Sequence, residues 1–312
     1  MSELGNVTLR LGLTPWNFDD MSAVSLSEQA VFAESIGYES FWLPENHFGD
    51  RSIPDPLMLL AGVAAATSTI SLATTSFLLP LRHPLLAAEQ VAVLDRLSNG
   101  RVLLGVGRGY SNKVLKAFNI EPGTKRRQFE WTLDLMMRAW SGELVTVDDP
   151  EAAVVIDPLP VQRPYPPIWI AAFGPKALAQ VGRLGMPYLA SPIETIANLR
   201  ENFELHARSA VDAGHAPIKT RPIMRTVFVC DSAVETRDVR ERLAAIILPT
   251  GARANANVDE WAVIGEAEYV RDKLAEYKEV LLATHVVVTR LRFEGVEESR
   301  LRDSISRVAE LV

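Results

Sequence analysis

The chain has 312 residues, 48% hydrophobic and 23% charged, with a formal net charge of −7. That length can bury roughly 75% of the surface its unfolded form exposes, so a sizeable core is available. The acidic balance argues against nucleic acid or acidic membranes as partners, and no apolar run reaches the ~20 residues that span a bilayer.

Val7–Thr14 predicts a first strand, and Ser25-Leu-Ser-Glu28 is a capping-box pattern opening a helix that ends near Gly37. Ser40–Leu43 is a second strand, followed by an irregular segment to Pro56 and a packed helix over Leu57–Thr67. Ile70–Leu79, rich in β-branched residues, predicts the third strand, and Pro84–Leu97 a helix stopped by Ser98-Asn99-Gly100. Arg101–Val106 is the fourth strand and Lys125–Trp140 a helix with an apolar face. Residues 141–166, acidic and proline-rich, read as an insertion holding a short hairpin.

The alternation resumes with a strand at Ile168–Ala172, a helix at Pro175–Leu184, a strand at Pro187–Ala190 and a helix at Glu194–Ala213. Ile223–Cys230 is the seventh strand and Val234–Ile247 the helix after it. The lone Cys230 excludes an internal disulfide and suits a buried thiol in a reducing compartment. Pro249–Asp259, rich in Gly, Ala and Asn, predicts a mobile insertion, ahead of a helix at Glu266–Glu279. His285–Phe293 is the eighth strand and Glu298–Val312 the closing helix. Eight β/α steps without a composition break predict an α/β fold: a single TIM (β/α)8 barrel over residues 1–312, with insertions after strands 4 and 7. The opening residues show no export pattern, so the expected compartment is the cytoplasm.

In such a barrel the chemistry sits where strands end. The fourth strand runs into Gly107-Arg108-Gly109-Tyr110. Glycine allows close backbone approach, and the guanidinium offers a fork of donors suited to phosphate. The fifth strand leads through Phe173-Gly174-Pro175-Lys176 into a helix start, where unpaired N–H groups and the dipole favour an anion. In a barrel these two loops are neighbours and could grip one phosphate. The second strand delivers Glu45, Asn46 and His47, a polar cluster able to bind a substrate or pass protons. The third delivers Thr75 and Ser76, and the sixth Ser191. His83, between Arg82 and Pro84, reads as a helix N-terminal residue. The scattered histidines give no metal-ligand spacing.

Four ordered motifs carry a resemblance: Phe41-Trp-Leu-Pro-Glu-Asn-His-Phe48, Leu78-Leu-Pro-Leu-Arg-His-Pro84 with Glu89–Asp95, Asn99–Tyr110, and Pro166–Ala172 leading to Leu184-Gly-Met-Pro187. Over about residues 7–230 the chain resembles the bacterial luciferase-like flavin-dependent oxidoreductases. The resemblance implies a TIM barrel binding FMN, with the family's phosphate arginine at Arg108 and the phosphate's other side at Phe173–Ala177. It also implies a non-prolyl cis peptide at Thr75–Ser76.

The chain departs from the family twice. Gly174 and Ala177 stand where hydroxyl side chains are common, leaving backbone N–H groups and Lys176 to compensate. Asn46 stands where luciferases carry a catalytic histidine, so light-emitting chemistry is not expected and proton transfer falls to Glu45, His47 or water. The implied activity is a two-component monooxygenase. Reduced FMN from a separate reductase would activate oxygen for a small organic substrate, in a pocket lined by Trp16, Phe77, Tyr110, Phe173 and Ile193 with Pro249–Asp259 as lid. The alternatives are hydride transfer with coenzyme F420 and a flavin-binding barrel without turnover. A homodimer through Leu57–Ala66 and Leu85–Leu97 is also implied.

Overall fold

The computed structural model describes residues 8–20, 22–49, 52–246 and 257–312. In chain order the elements are β1 (Arg10–Leu13), α1 (Ala23–Ser35), β2 (Ser40–Leu43), α2 (Pro56–Ala66), β3 (Ser71–Thr74), β4 (Phe77–Leu78) and α3 (Pro84–Leu97). They continue with β5 (Val102–Gly107), α4 (Asn112–Ala117), α5 (Lys125–Trp140), β6 (Ile168–Ala171), α6 (Pro175–Arg183), β7 (Tyr188–Leu189) and α7 (Ile196–Asp212). The last are β8 (Pro222–Val229), α8 (Ala233–Ala244), β9 (Ala262–Gly265), α9 (Ala267–Leu281), β10 (His285–Thr289) and α10 (Glu298–Glu310). The chain divides into two compact units.

One unit comprises Phe18–Val31 and Ser40–Ala171. Its strands pair in parallel, with Ser40 opposite Ser71, Leu72 opposite Val102, Phe77 opposite Val106 and Leu104 opposite Ile168. Phe41, Trp42, Leu43, Leu72, Ala73, Leu104, Val106 and Ile170 are all buried. Parallel strands covered on both faces take such continuous apolar runs. Asp55 caps α2 by accepting the Met58 N–H, with Pro56 in the first turn, where no intrahelical donor is needed. At the other end, Arg101 donates to the carbonyls of Ala64, Thr67, Ile70 and Ser98, fastening the end of α2 to the approach to β5. The buried Asp95 of α3 accepts both the backbone and the side-chain N–H of Gln162, anchoring the irregular segment that follows α5.

The other unit draws on Met1–Asn17, Phe32–Glu39 and Ala172–Val312. Here β1 pairs in parallel with β10, β10 with β8, and β8 with β9. All eight residues of β8 are buried. Cys230, just beyond β8, is a buried free thiol, and burial holds its pKa above the ordinary value.

Four expectations need correction. The sequence predicts one strand over Ile70–Leu79, but β3 and β4 are separate, because the register against β5 slips by one residue between the Ala73–Leu103 and Phe77–Val106 pairs. The Thr75–Ser76 peptide between them is cis, as the resemblance implies. The hairpin within 141–166 reduces to one antiparallel bridge, Val145 with Val154. The eighth strand ends at Thr289, not Phe293. Finally, β9 is a strand the sequence reading lacks, recruited by the Thr226–Val229 half of β8. Pro249–Asp259 lies mostly outside the described residues.

Candidate active site

The exit of β2 brings Glu45 and His47 together. The Glu45 side chain is fully shielded, and its Oε2 accepts the Leu78 N–H at 2.9 Å. Its Oε1 meets both His47 Nε2 and Arg82 Nη2, each at 2.8 Å. Three donors on one buried carboxylate leave it little freedom to shuttle protons itself. It orients instead, and the ring nitrogen it leaves open is His47 Nδ1. Asn46 lies exposed beside this pair, with its Oδ1 accepting the Ile53 N–H at 2.8 Å and its own N–H bonded to the Ile53 carbonyl. That two-way bridge closes the Asn46–Ile53 loop and leaves the Asn46 amide nitrogen as its available donor. His83 is the N-cap residue of α3 and makes no side-chain cap.

Aromatic rings surround the imidazole. Phe118 meets His47 edge-on at 4.9 Å and stacks on Phe48 at 5.6 Å. Phe48 is 64% exposed and holds a left-handed backbone, φ 58. Of the pocket residues expected in this unit, Tyr110 is 71% exposed, whereas Phe77 is fully buried beneath the Arg82 guanidinium, 4.4 Å away. Phe77 therefore supports Arg82 and is not a pocket wall.

The glycine-rich exit of β5 is built by close approach. A Cβ on Gly105 would lie 1.9 Å from the Thr74 carbonyl oxygen, and one on Gly107 would lie 2.4 Å from Ser76 Oγ. Gly109 has φ +71, open to glycine at no steric cost. Next to it, Lys125 Nζ donates to the Gly109 carbonyl at 3.1 Å. Burial holds the Arg108 guanidinium below its ordinary pKa, repulsion from Arg126 adds to this, and Glu130 opposes it. Lys125 is lowered likewise by burial and by Arg108. Three cations thus meet near one loop with a single opposing carboxylate, Glu130, a net positive set that suits an anion. Lys125 and Arg126 escape the sequence reading. The available signal was Lys125-Arg126-Arg127 at a helix start, where the dipole disfavours cations.

In the other unit, Gly174 takes φ 81 as the N-cap of α6, with Pro175 in its first turn. Phe173 is 76% exposed and Lys176 is exposed. Trp16 is buried, edge-on to Phe32 at 5.6 Å. The Ser191 N–H donates to Glu194 Oε2 at 2.6 Å. Glu194 is a buried carboxyl that also accepts from Tyr188 Oη and Asn202 Nδ2, and burial raises its pKa. This brace on the Ser191 turn was not legible in sequence, because Glu194, Asn202 and Tyr188 carry no motif. Among the described residues no group of three or more His, Cys, Asp or Glu is placed to hold a metal ion.

The sequence model of the luciferase-like monooxygenase family matches residues 13–284. Limonene 1,2-monooxygenase of Rhodococcus erythropolis is 34% identical over 149 residues, 46% of this chain and 38% of that protein. The chain spans only 38%, 44% and 52% of the length of three curated relatives it matches. Among solved structures, the oxygenating constituent of 3,6-diketocamphane monooxygenase from Pseudomonas putida, a type II Baeyer–Villiger monooxygenase in complex with FMN, gives a TM-score of 0.83 at 19% identity, covering 98% of both chains. An F420-dependent secondary alcohol dehydrogenase in complex with an F420–acetone adduct gives 0.78 at 16% identity, covering 97% of this chain and 98% of that one. At such identities the likeness establishes the fold.

Proposed function

Because this chain belongs to the luciferase-like monooxygenase family, we propose that it is a two-component flavin-dependent monooxygenase, taking reduced FMN from a separate reductase and using oxygen on a small organic substrate. The donor set fits the cofactor. A phosphate needs convergent cations and an unobstructed backbone, and the Gly107-Arg108-Gly109 loop backed by Lys125 and Arg126 offers both. This loop is the observation that carries the reading.

Arg108 binds the phosphate in this proposal, and Gly107, Gly109 and Tyr110 shape its approach, with Ser76 beside Gly107 and Thr75 preceding it. Phe173, Gly174, Pro175, Lys176 and Ser191 carry cofactor contacts by resemblance to the family. When bound, reduced flavin supplies the electrons that activate oxygen. His47 holds and moves a proton at Nδ1, with Glu45 orienting it from Nε2. Asn46 donates a hydrogen bond from its amide. The Phe48–Phe118 stack keeps water from the imidazole and offers an apolar substrate a surface.

Likeness to the FMN-bound structure over 98% of the chain supports reading residues 1–312 as one domain of the TIM-barrel class, with insertions after its fourth and seventh strands. The exposed Met58, Leu86, Val93 and Leu97 on α2 and α3 support a homodimer. A cytoplasmic location accords with a buried free thiol. Among the described residues no helix is long and apolar enough to cross a membrane.

A second reading, hydride transfer with F420, is favoured by the likeness to the F420-dependent dehydrogenase. Absorbance titration of the purified protein with FMN and with F420, followed by oxygen uptake with reduced FMN, separates the two. Arg108→Ala is expected to weaken FMN binding about 10- to 100-fold, the value of a charge-assisted phosphate contact. Unchanged FMN affinity in that variant would remove Arg108 from the site.

A further inference from the structure

We propose that Glu194 is a positioning residue, which locks the backbone of Ser191 so that the Ser191 hydroxyl is held ready for the cofactor. The proposal rests on the reading of Ser191 as a cofactor contact, and part of its test uses protein without cofactor.

Ser191 follows β7, at the carboxyl end of a strand, where folds of this class keep their ligands. Both polar groups of its backbone go to one residue. The Ser191 N–H donates to Glu194 Oε2 at 2.6 Å, and the Ser191 carbonyl accepts the Glu194 N–H at 3.4 Å. Pro192 stands second in the resulting four-residue turn, where its fixed φ suits the bend. The hydroxyl is placed differently. Ser191 is half-buried, and among the described residues nothing hydrogen-bonds to its Oγ. A fully engaged backbone beside an uncommitted hydroxyl leaves one group to offer a ligand.

Glu194 can hold the turn because it is itself held. Tyr188 Oη donates to both carboxyl oxygens at 2.7 Å, and Asn202 Nδ2 donates to Oε1 at 2.6 Å. The Glu194 carbonyl accepts Arg225 Nη2 at 2.8 Å, and that guanidinium is anchored to Tyr277 Oη at 3.1 Å. Glu194, Tyr188 and Arg225 are all buried. The carboxyl group thus gathers β7, the turn and α7, while its backbone is tied to β8. For stability alone, a well-packed apolar side chain often serves as well as a buried charge. What it lacks is an acceptor for the Ser191 N–H.

The role follows from acceptors and not from charge. Glu194→Gln keeps one oxygen, which can take the Ser191 N–H and the Tyr188 hydroxyl. The new amide nitrogen then meets Asn202, whose own amide turns over to present Oδ1. Every group is paired again. Glu194→Met keeps the bulk without a comparable acceptor, so the Ser191 N–H loses its partner and the turn loosens.

Amide hydrogen exchange of the cofactor-free protein reads the turn. Glu194→Met is expected to strip the Ser191 N–H of its protection, and Glu194→Gln to retain it. Titration with FMN, and with F420, reads the consequence. Ser191→Ala should weaken binding about 5-fold, the scale of one hydrogen bond. Glu194→Met should weaken it at least as much, while Glu194→Gln stays near the wild type. Adding Ser191→Ala to Glu194→Met should bring no further loss, because both changes remove the same contact. If Glu194→Met does not fold, Glu194→Asp serves: one methylene shorter, it withdraws the acceptor, and the same losses are expected. Retained Ser191 protection in Glu194→Met, losses that multiply in the double variant, or a Glu194→Gln variant as weak as Glu194→Met overturns the proposal. So does a silent Ser191→Ala, in which case weakened FMN binding by Arg108→Ala leaves the flavin reading standing. A wild type that binds neither FMN nor F420 overturns both.

Discussion

Two glycines set the tightest constraints at the scale of single residues. A methyl group at Gly105 would meet a backbone oxygen, Thr74 O at 1.9 Å, whereas one at Gly107 would meet the movable Ser76 Oγ at 2.4 Å. Gly105→Ala must push β3 and β5 apart, at a cost of about 3 kcal/mol, and Gly107→Ala only rotates a serine, at about 1 kcal/mol. Urea unfolding measures both, and equal losses would contradict the close-approach account. Gly107→Ala should in addition weaken FMN binding, since it fills the approach to Arg108. The glycines were legible because their alternation interrupts an apolar run, Val102–Leu104. Arg82 lies 37 positions from Glu45, and nothing in either local pattern announces that they share an oxygen.

Elements carry the next layer of argument, and α5 is the clearest case. Its first turn holds Lys125, Arg126 and Arg127 where the helix dipole favours acids. Arg126→Glu should therefore stabilise the protein by roughly 0.3–1 kcal/mol through the dipole, and relieve the repulsion on Arg108. The same change should raise the FMN dissociation constant. A variant that gains stability and keeps its FMN affinity would exclude α5 from the phosphate site. The β9 strand shows the limit of reading elements from sequence. Four residues, Ala262–Gly265, carry no distinguishing period, and they become a strand because β8 offers Thr226–Val229 as an edge to pair with. The third strand is the reverse case. Its β-branched and apolar residues run on to Leu79, but the register against β5 slips by one residue between Ala73 and Phe77, a change that sequence alone could not assign.

For the molecule as a whole, acid sensitivity is the measurable property that burial dictates. His285, beside Thr284 at the start of β10, is held down to about 4, by burial first and Arg10 second. Its unfolded value is near 6.5, so the unfolded chain takes up the proton first. The neutral ring's contribution is fully present above pH 6.5 and is lost as pH falls from there towards 4. This one group should account for about 2 kcal/mol of stability lost between pH 7 and pH 5. Thermal or urea unfolding of His285→Gln at both pH values checks it. A variant with the wild-type loss would assign the sensitivity elsewhere.

By itself, the sequence determined the parallel α/β alternation, the family, the glycine–arginine loop and the Glu45–His47 cluster, because periodicity, turn chemistry and motif spacing are local and survive in one dimension. Only the tertiary structure decided who shares a proton or a charge with whom: Arg82 with Glu45, Lys125 and Arg126 with Arg108, Glu194 with Ser191. Those pairings depend on burial and on angstrom-scale approach between distant segments, and both are set only once the chain has folded.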